Sequence, residues 1–215
     1  MWDRQQGLLP GHAHAPTLYG LGETLCDWAR VVLDRVSGDR LILVGNSVGG
    51  SCAMEMALLA EDRVAAVVLV GAKAGHRPEP MLRRECLDLL ERGGVEAGWD
   101  RYWAPLFSAA APSEVVAEAK RMATASSPAE IAGGVNAFHS RVDRHSILST
   151  LDCPVLCISG EHDIAPGVAT TTRQAEAARD GRLIVVPDSG HYVSLEQPEL
   201  FNAILRSLID ELTER

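Results

Sequence analysis

Three segments of this 215-residue chain carry residue types that could together perform nucleophilic chemistry. The first, Gly45-Asn46-Ser47-Val48-Gly49-Gly50, directly follows the apolar run RLILV and directly precedes a helical pattern. A serine on a sharp strand-to-helix turn is forced into a strained backbone geometry, and small residues two before and two after it relieve the crowding. The turn projects Oγ beyond the sheet and aims the first amides of the helix at whatever the serine attacks. Helix N-termini favour anions, so the Val48 N–H is the expected donor to a developing oxyanion. No Lys follows the glycines, which excludes a Walker-type loop, although another phosphate-binding or merely tight turn stays open.

A serine hydroxyl attacks poorly until a base takes its proton, and an imidazole base needs an acid to hold its orientation. The chain offers histidines at 12, 14, 76, 139, 145, 162 and 191. His191 follows a strand-like run in Pro187-Asp188-Ser189-Gly190-His191 and precedes the last helical pattern. Asp163, in Gly160-Glu161-His162-Asp163, follows another such run. Both positions, like Ser47, fall at the carboxyl ends of strands, where open α/β sheets place their sites. Singly, Asp163 could cap the following helix and His191 could be a surface loop residue. Three roles at the ends of three successive strands make a triad of Ser47, Asp163 and His191 the better reading, in one known chain order.

The elements that must position them are legible as alternating patterns. Runs 40–44, 64–70, 154–159 and 182–186 are β-branched-rich, bounded by turn residues and apolar throughout, as expected of strands covered on both faces of a parallel sheet. Residues 17–36, 49–60, 167–179 and 197–212 show apolar stripes at helical steps. Strand and helix in alternation predict an α/β sheet with right-handed crossovers. Residues 78–149 break that grammar, with helical patterns such as 80–91 and 113–125 and no convincing strand. Gly93-Gly94 and Gly133-Gly134 are among the expected connections there. The expected division is a core of 1–77 and 150–215 with a helical cap insertion at 78–149.

Composition bounds the function classes. An apolar share of 47% with 23% charged residues is the ordinary globular balance. A formal charge of −9 disfavours nucleic acid or an anionic membrane surface as partner. No 18-residue apolar run predicts a membrane-spanning helix, and the first residues lack the pattern of a secretory signal. Five scattered cysteines read as reduced, buried thiols of a cytoplasmic protein. Cys153 and Cys157 lack further ligands at metal spacing, and no metal is expected.

These motifs resemble the α/β-hydrolase superfamily, in particular its capped esterases, enol-lactonases and carbon–carbon hydrolases. The elbow at 45–50, the acid segment from Cys153-Pro154-Val155-Leu156 to Asp163, and Ser189-Gly190-His191 with Leu195-Glu196-Gln197-Pro198-Glu199 carry the likeness. The glycine- and alanine-rich segment 71–75 holds no carboxylate, which leaves Asp163 as the acid. The resemblance implies a serine hydrolase that cleaves a small ester, lactone or thioester through an acyl-enzyme without any cofactor. Alternatives are a carbon–carbon hydrolase, an acyl transferase or cyclase, or a degenerate ligand-binding homologue. Asn46, Trp103 and Phe138 are the candidate substrate contacts. Leu8-Leu9-Pro10-Gly11-His12-Ala13 is similar to the motif closing the family's fourth strand, with residues 1–5 as the preceding helix and 7–9 as a strand remnant. The earlier strands are then missing, which implies an exposed sheet edge covered by the N-terminal segment or a homo-oligomer partner. The second oxyanion donor must also come from elsewhere, with His12 and His14 as candidates.

Overall fold

Aliphatic and β-branched side chains suit a pleated surface covered on both faces, and the apolar runs become strands for that reason. The computed structural model describes residues 1–214. Strands β1 (Leu41–Asn46), β2 (Val64–Val70), β3 (Val155–Gly160) and β4 (Gly181–Val186) form one parallel sheet in the order β1-β2-β3-β4. The register pairs Asn46 with Val70, Val70 with Ile158 and Gly160 with Val186. The carboxyl ends are therefore level, and the loops that follow them open on one edge.

Alternation along the strands divides the core in two. Val67, Leu69, Val155 and Cys157 face helices α1 (Leu25–Arg35), α2 (Val48–Leu59) and α6 (Val168–Ala177). Ala66, Val68, Val70, Leu156 and Ile158 face α8 (Pro198–Thr213), which buries Phe201, Leu205, Leu208 and Leu212. A one-turn helix, α7 (Val193–Glu196), leads into α8. Between β2 and β3 lie α3 (Pro80–Gly98), α4 (Ser113–Thr124) and α5 (Pro128–His139), with short turns and no strand among the described residues. Among the described residues no helix is long and apolar enough to cross a membrane.

Several expectations are corrected. The helical pattern of 17–36 yields a helix only from Leu25, because Gly20 and Gly22 take φ of 85° and 145° and Thr24 forms a capping box with Asp27. Residues 7–9 are no strand remnant and 1–5 no helix. Gln6–Leu8 is a 3₁₀ turn, and the segment docks on α8 through Trp2 against Phe201 and Gln5 against Asn202. It adds no strand to β1, whose only strand partner among the described residues is β2. Gly93-Gly94 is a kink inside α3, with Gly94 at φ 68°. Gly133 and Gly134 lie within α5, and a Cβ on Gly134 would sit 2.3 Å from Cε1 of Tyr19. As one of the two edge strands, β4 is covered less than expected, leaving Leu183 and Val185 39% and 40% exposed.

Candidate active site

Backbone crowding explains the glycines around Ser47. The serine sits between β1 and α2 at φ 53°, ψ −120°, a left-handed strain that a non-glycine residue keeps only where its surroundings enforce it. A Cβ on Gly45 would lie 2.3 Å from the Gly49 carbonyl oxygen, and one on Gly50 would lie 2.3 Å from Cβ of Ala72. Gly49 itself is roomy, its nearest such contact being Leu18 at 4.0 Å. The strand therefore meets the helix closely at 45 and 50, not symmetrically about the serine. Ser47 N–H donates to Val70 O at 2.9 Å, which fixes the turn against β2.

Asp163 and His191 meet in the interior. Nδ1 of His191 lies 3.2 and 3.3 Å from the two carboxylate oxygens of Asp163, with the side chains 2% and 0% exposed. Asp163 Oδ1 also accepts from Ala165 N–H at 2.8 Å. The carboxylate does not cap α6, which starts from Gly167. His191 is not a surface loop residue either, and its ring packs edge-on against Tyr192 at 5.1 Å. The two loops cross at van der Waals limits, because a Cβ on Gly160 would lie 2.0 Å from Gly190 O. His162 N–H donates to Ser189 O at 2.8 Å across the same crossing.

Asn46 joins this pair to the elbow. Its Nδ2 donates to Val70 O at 2.9 Å and to His191 O at 3.0 Å, and the residue is buried. The amide is thus engaged with backbone on either side of the site. Ser47 is half-buried, and its Oγ forms no hydrogen bond to His191 among the described residues. With Nδ1 turned to Asp163, the imidazole directs Nε2 away from the acid, and apo sites often close such contacts only around substrate.

The remaining candidates are dispersed. Trp103 packs with Cys86, Leu90, Val95 and Ile131 in a cluster of its own. Phe138 meets His139 and lies under the Arg141 guanidinium at 3.9 Å. His12 and His14 are exposed. The aromatics nearest His191 are in series: Trp99 to Phe107 at 5.9 Å, Phe107 to Tyr192 at 4.5 Å, then the imidazole. Burial raises the Tyr192 phenol well above its ordinary range, so it stays protonated. All five thiols are free, and burial pushes Cys52 and Cys157 up to about 12, which keeps both protonated. Glu161, His162 and Asp188 bring ligand atoms within 4.8 Å of one another, but all three are exposed. A cleft of about 270 Å³ lies at the opposite, amino end of the strands, beside Cys153 and away from Ser47, Asp163 and His191.

Sequence reasoning missed Gly71 and Glu196. Gly71, at φ 51°, comes so close to the pair that a Cβ there would lie 2.7 Å from His191 Nδ1. Glu196 is buried against the backbone beside His191. Glu196 stood in the segment Leu195-Glu196-Gln197-Pro198-Glu199 that carries the family likeness, but its burial and backbone partners were not legible there.

A doubly covered parallel sheet with these loops at its carboxyl edge defines an α/β hydrolase. The chain belongs to the alpha/beta hydrolase family, whose model matches residues 1–204. It is 30% identical over 196 residues to a Bacillus subtilis protein provisionally named 2-succinyl-6-hydroxy-2,4-cyclohexadiene-1-carboxylate synthase, covering 84% of this chain and 70% of that one. It is also 30% identical over 217 residues to a provisionally named carbamate hydrolase, RutD, of Variovorax paradoxus, covering 94% and 78%. Among solved structures it resembles the enol-lactonase from Burkholderia xenovorans, with a TM-score of 0.81 at 22% identity over 97% of this chain and 85% of that one.

Proposed function

We propose that the protein is a serine hydrolase acting on a small ester, lactone or thioester through an acyl-enzyme. The observation that carries this reading is the buried contact between His191 and Asp163, tied by Asn46 to the strained turn that bears Ser47. In the proposed reaction, Ser47 Oγ attacks the acyl carbon while His191 Nε2 takes its proton. Asp163 holds the Nδ1–H tautomer and stabilises the imidazolium. The Val48 N–H, at the start of α2, donates to the oxyanion. His191 then protonates the leaving group, and a water activated by the same imidazole releases the acid. Every bonding step is supplied by protein groups and water.

Residues 78–149 serve in this reading as a cap on the core of 1–77 and 150–215. Trp99 and Phe107 reach the site through Tyr192, and Trp103 and Phe138 shape the cap. A small acyl-bearing molecule is the partner. Five free thiols fit a reducing, cytoplasmic setting.

A carbon–carbon or cyclase reaction using the same groups is favoured by one observation, the synthase name of the Bacillus subtilis relative. A fluorophosphonate probe tests the nucleophile directly. Labelling should be complete in the native protein and absent in Ser47→Ala. A folded protein that takes no label, or a Ser47→Ala variant that labels equally, would reject the serine mechanism. A panel of esters, lactones and diketones then separates the two reaction classes.

A further inference from the structure

Glu196 is 7% exposed, and no Lys or Arg pairs with its carboxylate among the described residues. A buried carboxylate without a counter-ion is costly unless hydrogen bonds replace its hydration. Here backbone amides do so. Oε2 accepts from Ser108 N–H at 2.9 Å and Gly190 N–H at 3.0 Å, and Oε1 accepts from Tyr192 N–H at 3.2 Å. Two of these donors flank His191. The third belongs to the segment that follows the Trp99–Trp103 turn, distant in sequence.

The histidine's own peptide groups are held as well. Its N–H donates to Leu106 O at 2.9 Å, and its carbonyl accepts from Asn46. Gly190 is tight against the same segment, since a Cβ there would lie 2.4 Å from Leu106 O and 2.6 Å from Ser108 N. Ser108 Oγ adds a weaker bond to Asp188 O at 3.4 Å. The backbone from 190 to 192 is thus pinned on one side by 106–108 and on the other by the elbow. Among the described residues, Glu196 is the one charged side chain that binds both the histidine loop and the 106–108 segment.

We propose that Glu196 is a positioning residue that fixes the orientation of His191 and couples it mechanically to segment 106–108. A displacement of that segment, as when a substrate enters beneath the cap, is transmitted to the base through the shared carboxylate. The proposal rests on the reading of Ser47, Asp163 and His191 as the reacting groups. Charge-assisted N–H bonds are stronger than neutral ones, and a carboxylate presents two acceptor oxygens where an amide presents one. In Glu196→Gln an N–H₂ group must therefore confront either Tyr192 N–H or the Ser108 and Gly190 pair.

Fluorophosphonate labelling of the full chain, resolved into a binding constant and a maximal rate, reads the positioning role. Backbone amide exchange reads the pinning. In Glu196→Gln the maximal labelling rate should fall about 10- to 100-fold with the binding constant within about threefold of the parent. Exchange should accelerate in peptides covering 104–110 and 187–197 and stay unchanged in β2 and β3. Glu196→Asp keeps the charge but falls one methylene short, so it should give an intermediate rate, and it decides the matter if the Gln variant does not fold. A folded Gln or Asp variant with parental labelling and parental exchange at both peptides would overturn the proposal. Failure of the parent protein to label would instead reject the serine mechanism, and amide exchange would still decide whether Glu196 holds the loop.

Discussion

Gly71 matters for an atom it lacks. It follows β2 at φ 51°, and a Cβ would come within 2.7 Å of His191 Nδ1 and 3.0 Å of Asp163 Oδ2. Gly71→Ala should therefore part the buried pair as well as strain the backbone, by about 1 kcal/mol for the latter. The expected outcome is a fall in fluorophosphonate labelling of about 100-fold with only a small loss of thermal stability, since a misplacement near 1 Å suffices for that. Labelling at the parental rate would mean that the pair tolerates displacement. This residue also marks the limit of what could be read from letters. Ser47, Asp163 and His191 are legible because each follows a strand and carries a reactive group. Gly71 and Glu196 act through chain segments that approach them only in the folded molecule, so even the motif at 195–199 does not disclose the contact of Glu196 with Ser108.

Among the elements, β2 and β3 were legible because strands covered on both faces demand unbroken apolar runs, and β1 and β4 because their runs are apolar and bounded by turn residues although β4 leaves one face partly open. The start of α1 was not, because Leu18 and Leu21 keep a helical rhythm while serving as loop residues packed on the core. Glycine was the most misleading residue, kinking α3 at Gly94 but sitting inside α5 at Gly134 to admit Tyr19. The junction where α5 ends, near the loop after β2, has a titratable character of its own. Burial holds His76 and His139 below the usual imidazole range, reinforced by the Arg141 charge beside both. Glu79 faces both histidines and Asp143 faces His76, and these opposing charges only partly offset that effect. Both histidines are thus easier to protonate in the unfolded chain, at an ordinary value of about 6.5. Stability is present above that pH and declines as acid is added through the lowered folded values. The melting temperature should fall between about pH 7 and 5, and the double variant His76→Gln/His139→Gln should flatten that slope. Asp143, lowered by N–H bonds from His76 and His145, contributes at more acid pH and leaves this window clear. An unchanged slope in the double variant would show that other groups govern the acid limb.

For the whole molecule, one ion pair secures the long excursion between β2 and β3. Arg144 Nε and Nη2 donate to the two carboxylate oxygens of Glu55 at 2.8 and 2.9 Å, and Glu55 is 4% exposed in α2. Arg144→Ala would leave that carboxylate buried and unpaired, and should cost about 3 kcal/mol in urea denaturation. A loss under about 1 kcal/mol would imply that water reaches Glu55 freely. The same residue closes a backbone junction, since Arg144 N–H donates to Ala74 O at 2.9 Å. The outgoing and returning stretches of the chain therefore meet in one narrow doorway, where Arg141 Nη2 also donates to Gly75 O at 3.2 Å and His76 N–H to Asp143 Oδ2 at 3.0 Å. Such a doorway lets evolution, or an engineer, exchange everything between for another length of chain while the strands keep their alignment. What any replacement would have to reproduce is the handhold that Leu106 and Ser108 give to the histidine loop.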